Sequence, residues 1–105
     1  MKTVHLTIKV RTAATFYQRL IGLLGEKERQ FDEGLLLKPC HAVHTLGMTI
    51  PLDIFFLSKN HQVVSMKTLH PGKIMISFKG SYALELPEGT IQKYSICRGD
   101  TLIWK

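Results

Sequence analysis

The sequence predicts an α+β, mainly β fold, a small curved or partly closed antiparallel sheet or barrel of about seven strands with one main helix. Two observations carry this reading. Thr3 to Val10 alternate polar and apolar residues at period two, after which the apolar residues from Ala13 to Leu24 recur at helical spacing. From Gly34 onward, short apolar runs are separated by turn residues, the pattern of an antiparallel sheet. With 105 residues, 45% hydrophobic and 21% charged, the chain is expected to form one domain spanning residues 1–105.

The elements follow in order. Val4, Leu6, Ile8 and Val10 share one face of a half-buried strand. A helix is expected over residues 13 to 24, with Thr12 capping its start and Gly25 its end. The mixed-charge stretch from Glu26 to Glu33 reads as a solvated connection, and Leu35 to Leu37 as the next strand. Pro51 to Leu57 and Gln62 to Lys67 flank the loop Ser58-Lys59-Asn60-His61, as in a hairpin. Ile74 to Phe78 and Tyr82 to Leu86 flank Lys79-Gly80-Ser81 and predict a second hairpin. Pro87-Glu88-Gly89 ends that strand, Thr90 caps one helical turn through Tyr94, and Arg98-Gly99-Asp100 leads into a closing strand from Thr101 to Trp104.

Fourteen Lys and Arg against eight Asp and Glu leave a net charge of +6, which favours acidic partners where the charge is gathered. The bases are dispersed, no three are adjacent, and no recognised RNA-binding signature accompanies them, so nucleic acid is a disfavoured partner. No stretch approaches the ~20 apolar residues that cross a bilayer, and Met1 to His5 lack the apolar core of a signal peptide. A cytoplasmic location and no membrane contact are therefore expected. In a reducing compartment Cys40 and Cys97 are expected as thiols, with Cys97 filling the core beside Ile96.

Chemistry concentrates in Cys40-His41-Ala42-Val43-His44-Thr45, followed by Met48 and Asp53. On a helix Cys40 and His44 would be neighbours, but in extended chain they stand ~13 Å apart and cannot share an ion. Pro39, Gly47 and the β-branched Val43 and Thr45 favour the extended form, so no metal is expected. If Gly47 to Ile50 forms a hairpin loop, His44 falls opposite Asp53, where the carboxylate would fix the imidazole tautomer. The candidate ligand-binding residues are thus Cys40, His44, Thr45, Met48 and Asp53. Glu85 reads as an outward-facing strand residue or a pocket carboxylate, and His5, His61 and His70 as solvated. Met48, Met66 and Met75 read as core filler. The chain has no phosphate-binding glycine loop, dinucleotide fingerprint or nucleophile elbow, so no cofactor is expected.

Several segments together resemble the DUF192 family, an uncharacterised conserved domain. They are Arg19 to Gly25, Glu33-Gly34-Leu35-Leu36, Cys40 with His44-Thr45 and Met48, Pro51 to Leu57, and Leu84 to Gly89 with Gly99-Asp100. The resemblance covers nearly the whole chain and implies a compact β-rich fold. Because the family has no established activity, it points to a site without naming its chemistry. The favoured function is a small-ligand-binding or accessory module with a polar site around His44 and Asp53. Two alternatives stay open: a Cys- or metal-dependent enzyme using Cys40, His44 and Asp53, or a protein-interaction or nucleic-acid adaptor using the dispersed Lys and Arg residues.

Overall fold

The alternation at the start of the chain survives folding, but it serves two strands. The computed structural model describes residues 1–13 and 33–105. Among them lie β1 (Thr3–His5), β2 (Lys9–Ala13), β3 (Glu33–Leu37), β4 (Ala42–His44), β5 (Leu52–Leu57), β6 (Val63–Leu69), β7 (Ile74–Ile76), β8 (Tyr82–Pro87), a short helix α1 (Thr90–Tyr94) and β9 (Thr101–Ile103). Val4 and Leu6 are buried and Ile8 and Val10 pack partly buried against the same cluster, as period two requires. Between β1 and β2 the chain changes partner: β1 pairs with β9, and β2 pairs with β3.

The strands form three sheets, with orders β1-β9, β2-β3-β8-β5-β6 and β4-β7, and no closed barrel appears among the described residues. The mainly β expectation holds, and the barrel form is not seen among the described residues. The β1–β9 and β2–β3 pairings are parallel and the others antiparallel. Sequence proximity signals hairpins only, so parallel partners far apart in the chain leave no local mark.

The expected helix over 13 to 24 lies outside the described residues except at its start. There, Thr12 and Ala13 are strand residues paired with Leu36 and Leu37, so Thr12 is no helix cap. The hairpin around Ser58 to His61 forms as β5 and β6, the Ser58 hydroxyl accepting the N–H groups of Asn60 and Gln62. The second expected hairpin does not form, because β7 pairs with β4 while β8 lies between β3 and β5. Residues 77–81 instead carry the chain from one layer to the next. A side chain at Gly80 would approach Phe56 Cβ to 3.0 Å, so glycine suits this close passage, and Ser81 N–H then bonds Leu57 O at 2.8 Å. Gly89, in left-handed conformation, starts α1, so Thr90 is the first helical residue; its hydroxyl donates to Pro87 O at 2.6 Å.

The five-stranded sheet is the middle layer. Every residue of β5 is buried, because both faces of the sheet are covered. On one face Leu36, Phe55, Leu84 and Leu86 pack with Val4 of β1, Leu102 of β9 and Ile96, and Ile91 and Tyr94 of α1 lie against them. On the other, Leu35, Leu37, Ile54 and Phe56 pack with Val43 of β4 and Cys40, backed by Met48 and Met75. Met66 packs on the first face, so Met48, Met66 and Met75 all lie, partly buried, against the core as expected. Cys97 corrects the expectation of core filler, because the turn that bonds its N–H to Asp100 leaves it exposed.

Candidate functional site

The hairpin that would set His44 against Asp53 does not exist. His44 is registered with Ile74 of β7, whereas Asp53 is registered with Thr68 of β6 and Leu86 of β8. The reason lies at Thr45, which is fully buried and binds a different turn. Its hydroxyl donates to His70 O at 2.6 Å and accepts Lys73 N–H at 3.0 Å, while Lys73 O accepts its N–H at 2.9 Å. These bonds tie residues 45–48 to residues 70–73 and commit β4 to β7.

Alternation places the candidate residues on opposite faces of the middle sheet. Leu52, Ile54 and Phe56 face the cluster that holds Cys40, Val43 and Met48, and the alternate positions Phe55 and Leu57 face the other cluster. Asp53 shares the side of Phe55. Its carboxylate has no solvent exposure and accepts the Thr68 hydroxyl at 2.7 Å and the Ile91 N–H of α1 at 2.9 Å. It therefore caps, from a neighbouring strand, a helix that has no side-chain cap of its own. A Cys40–His44–Asp53 catalytic group is not assembled, because the sheet separates Asp53 from the others.

On the opposite side, Cys40 is buried and its thiol donates to Ala42 O at 3.1 Å. The half-buried His44 accepts Leu46 N–H on Nδ1 at 3.2 Å, which places the proton of a neutral ring on Nε2. Glu85 is not outward-facing: it is buried on β8 in register with Leu35 and Ile54. No group of three or more His, Cys, Asp or Glu residues among the described ones is arranged to hold a metal ion.

Concavities among the described residues include one away from the candidate residues and one beside Asp53. A groove of about 600 Å³ runs between the β1–β2 segment and the end of β9. Leu6, Ile8, Ile103 and Trp104 give it apolar walls, and His5, Thr7, Lys9 and Lys105 supply its polar groups. An open depression of about 460 Å³ lies beside Asp53, Thr68, Glu88 and the start of α1. The groove leaves little local mark in the sequence, because His5 and Trp104 are far apart in the chain; the lone tryptophan near a half-exposed strand end is the available signal. His61 is not simply solvated. It stacks on Trp104 with ring centroids 4.7 Å apart and planes 4° apart, and burial pushes its imidazole below the ordinary value of 6.5.

The family model for DUF192, described as an uncharacterised conserved group, matches residues 1–104. The chain belongs to the DUF192 family. Among relatives of this DUF192 chain, a UPF0127 protein of Pyrococcus furiosus is 33% identical over 104 residues, covering 95% of this chain and 90% of the relative. A UPF0127 protein of Pyrococcus horikoshii is 31% identical over 100 residues, covering 91% and 87%. A crystal structure from Sinorhizobium meliloti, of a candidate transcription regulator, matches with a TM-score of 0.70 at 23% identity, covering 86% of this chain and 76% of that one. A protein of unknown function from Novosphingobium aromaticivorans matches with a TM-score of 0.69 at 20% identity, covering 88% and 71%. At these identities the two structures speak for the DUF192 fold alone.

Proposed function

We infer that this DUF192 protein is a small-ligand-binding module, and that its ligand is an anion with an apolar body seated in the groove between the β1–β2 segment and β9. The observation that carries the reading is the composition of the groove. Its volume of about 600 Å³ lies in the ~300–1,000 Å³ range of small-molecule sites. Its walls are apolar, and among the described residues its titratable lining is His5, Lys9 and Lys105, with no Asp or Glu. Such a surface rewards desolvation of a hydrocarbon or aromatic body and favours a carboxylate, sulfonate or phosphate at its edge.

Trp104 lines the groove and is the sole tryptophan, so its emission reports occupancy directly. Decanoate is expected to shift that emission more strongly than decanol, and Lys9→Gln to weaken decanoate binding roughly fivefold, as for one exposed charge at close range. Unchanged emission, or equal binding of acid and alcohol, would overturn the reading. A second reading retains Asp53 from the expected site, favoured by the depression beside it, whose lining combines Asp53, Thr68, Glu88 and Gln92. In that case Asp53→Asn removes ligand binding while Lys9→Gln leaves it intact.

A further inference from the structure

From Gly34 to Leu84 the sequence contains a single acid, Asp53, and that carboxylate is buried and bonded on both oxygens. The surface built from this half of the chain therefore carries only neutral and basic side chains. One part of it is also apolar. On the β4–β7 sheet Val43 and Met75 face the core, so Ala42, Ile74 and Ile76 point outward. Ile74 is 62% exposed, Ile76 57% and Phe78, two residues beyond, 85%. Leu46, in the turn bonded to the start of this ribbon, is 56% exposed. Lys73 and Lys79 bracket the run on either side.

Scattered exposed hydrophobes need no explanation, but alternate strand residues Ile74 and Ile76, with Phe78 in the bend just beyond them, presented to solvent between lysines form a directed surface. We propose that the outer face of the β4–β7 ribbon docks on an anionic lipid surface, with Ile74, Ile76 and Phe78 entering the headgroup–acyl boundary and Lys73 and Lys79 contacting the anionic headgroups. Three considerations select this occupant. Three of the four exposed apolar side chains, Leu46, Ile74 and Ile76, are aliphatic and gain from acyl chains, whereas the one phenyl ring, Phe78, with His41 beside it at 6.3 Å, makes no run of planes for successive nucleic-acid bases. A second copy would bring the flanking lysines of the two ribbons together in a protein of net charge +6, which opposes self-association. The lysine-flanked patch, drawn from a stretch of chain whose one acid is buried, is complementary to the negative potential of an anionic leaflet. Surface docking needs no membrane-crossing segment, and no helix among the described residues is long and apolar enough to be one.

The test is co-sedimentation of the intact chain with vesicles of phosphatidylcholine, with and without phosphatidylglycerol. The protein is expected to partition onto the anionic vesicles and to be released as salt rises. Phe78→Ser combined with Ile76→Thr, which keeps a β-branched residue in the strand, is expected to lower that partition roughly tenfold or more. Lys73→Gln and Lys79→Gln should each lower it roughly fivefold. Thermal unfolding matched to the unsubstituted chain establishes that the variants are folded, and the lysine variants serve as the independent arm should the apolar pair disturb the ribbon. Equal binding to neutral and anionic vesicles, or none to either, overturns the proposal. So does anionic binding that both apolar substitutions leave unchanged, since the surface would then be a plain polyanion contact for an acidic protein or nucleic acid.

Discussion

Asp53 can be assigned its role by two substitutions that differ in one atom set. Asp53→Ala removes the acceptor for the Thr68 hydroxyl and for the Ile91 N–H. The hydroxyl can rotate toward another acceptor, so its loss falls at the low end of the ~1–3 kcal/mol of an unsatisfied buried group. The N–H belongs to the first turn of a helix without another side-chain cap, where losing the acceptor costs ~0.5–2 kcal/mol. The sum is about 1.5–3 kcal/mol, which for a domain of this size lowers the thermal midpoint by on the order of 6–24 °C. Asp53→Asn keeps the shape and both contacts: its carbonyl accepts Ile91 N–H and its amide donates to the Thr68 oxygen. Only the charge assistance is lost, about 1 kcal/mol. The assay is denaturant unfolding of both variants, with Thr68→Val and the double substitution Asp53→Ala/Thr68→Val completing a cycle whose expected coupling is about 1 kcal/mol. Asn and Ala equally destabilising would refute the capping argument, as would an Ala variant within about 0.5 kcal/mol of the starting protein.

Gly34→Ala, a change that ordinarily favours a strand, is expected to destabilise the protein by ~1–3 kcal/mol, because its Cβ would stand 2.6 Å from Leu86 Cδ2 and 3.3 Å from the Glu85 carbonyl oxygen; a lower denaturant midpoint at unchanged m-value is the check. The Asp100 carboxylate is held at about 2, below its ordinary 3.8, first by the Lys2 ammonium and then by the N–H groups of Cys97 and Lys2. Its contribution is therefore fully present above pH 3.8 and is lost as the pH falls toward 2, so the stability gap between the native chain and Asp100→Asn should close across that window in thermal unfolding followed at stepped pH. His61, with its pKa lowered by burial, adds a loss of stability that begins as the pH falls below 6.5.

What could be read from the sequence was whatever depends on neighbours in the chain. Val4 to Val10, the β5–β6 hairpin closed by Ser58, and the helical turn after Gly89 all declare themselves through period or turn chemistry. The pairing of β1 with β9 does not, since it joins the two ends of the chain, where Lys2 and Asp100 meet across 98 positions. Lys79-Gly80-Ser81 resembles a hairpin turn, yet its glycine serves a passage over Phe56. The proposed His44–Asp53 pair failed for a related reason. Residues symmetric about a loop become partners only if that loop is where the chain reverses, and the Thr45 hydroxyl and backbone instead anchor residues 70–73. Glu85 and Asp53 expose the deeper limit. Period two assigns residues to two faces of a strand but does not say that either face is wet. In a middle sheet covered on both sides, an acidic residue within an apolar run marks a place where another part of the chain must meet it. For Asp53 that part is the start of α1, and the polar residue that looked like chemistry in the sequence is where the helix is fastened to the sheet.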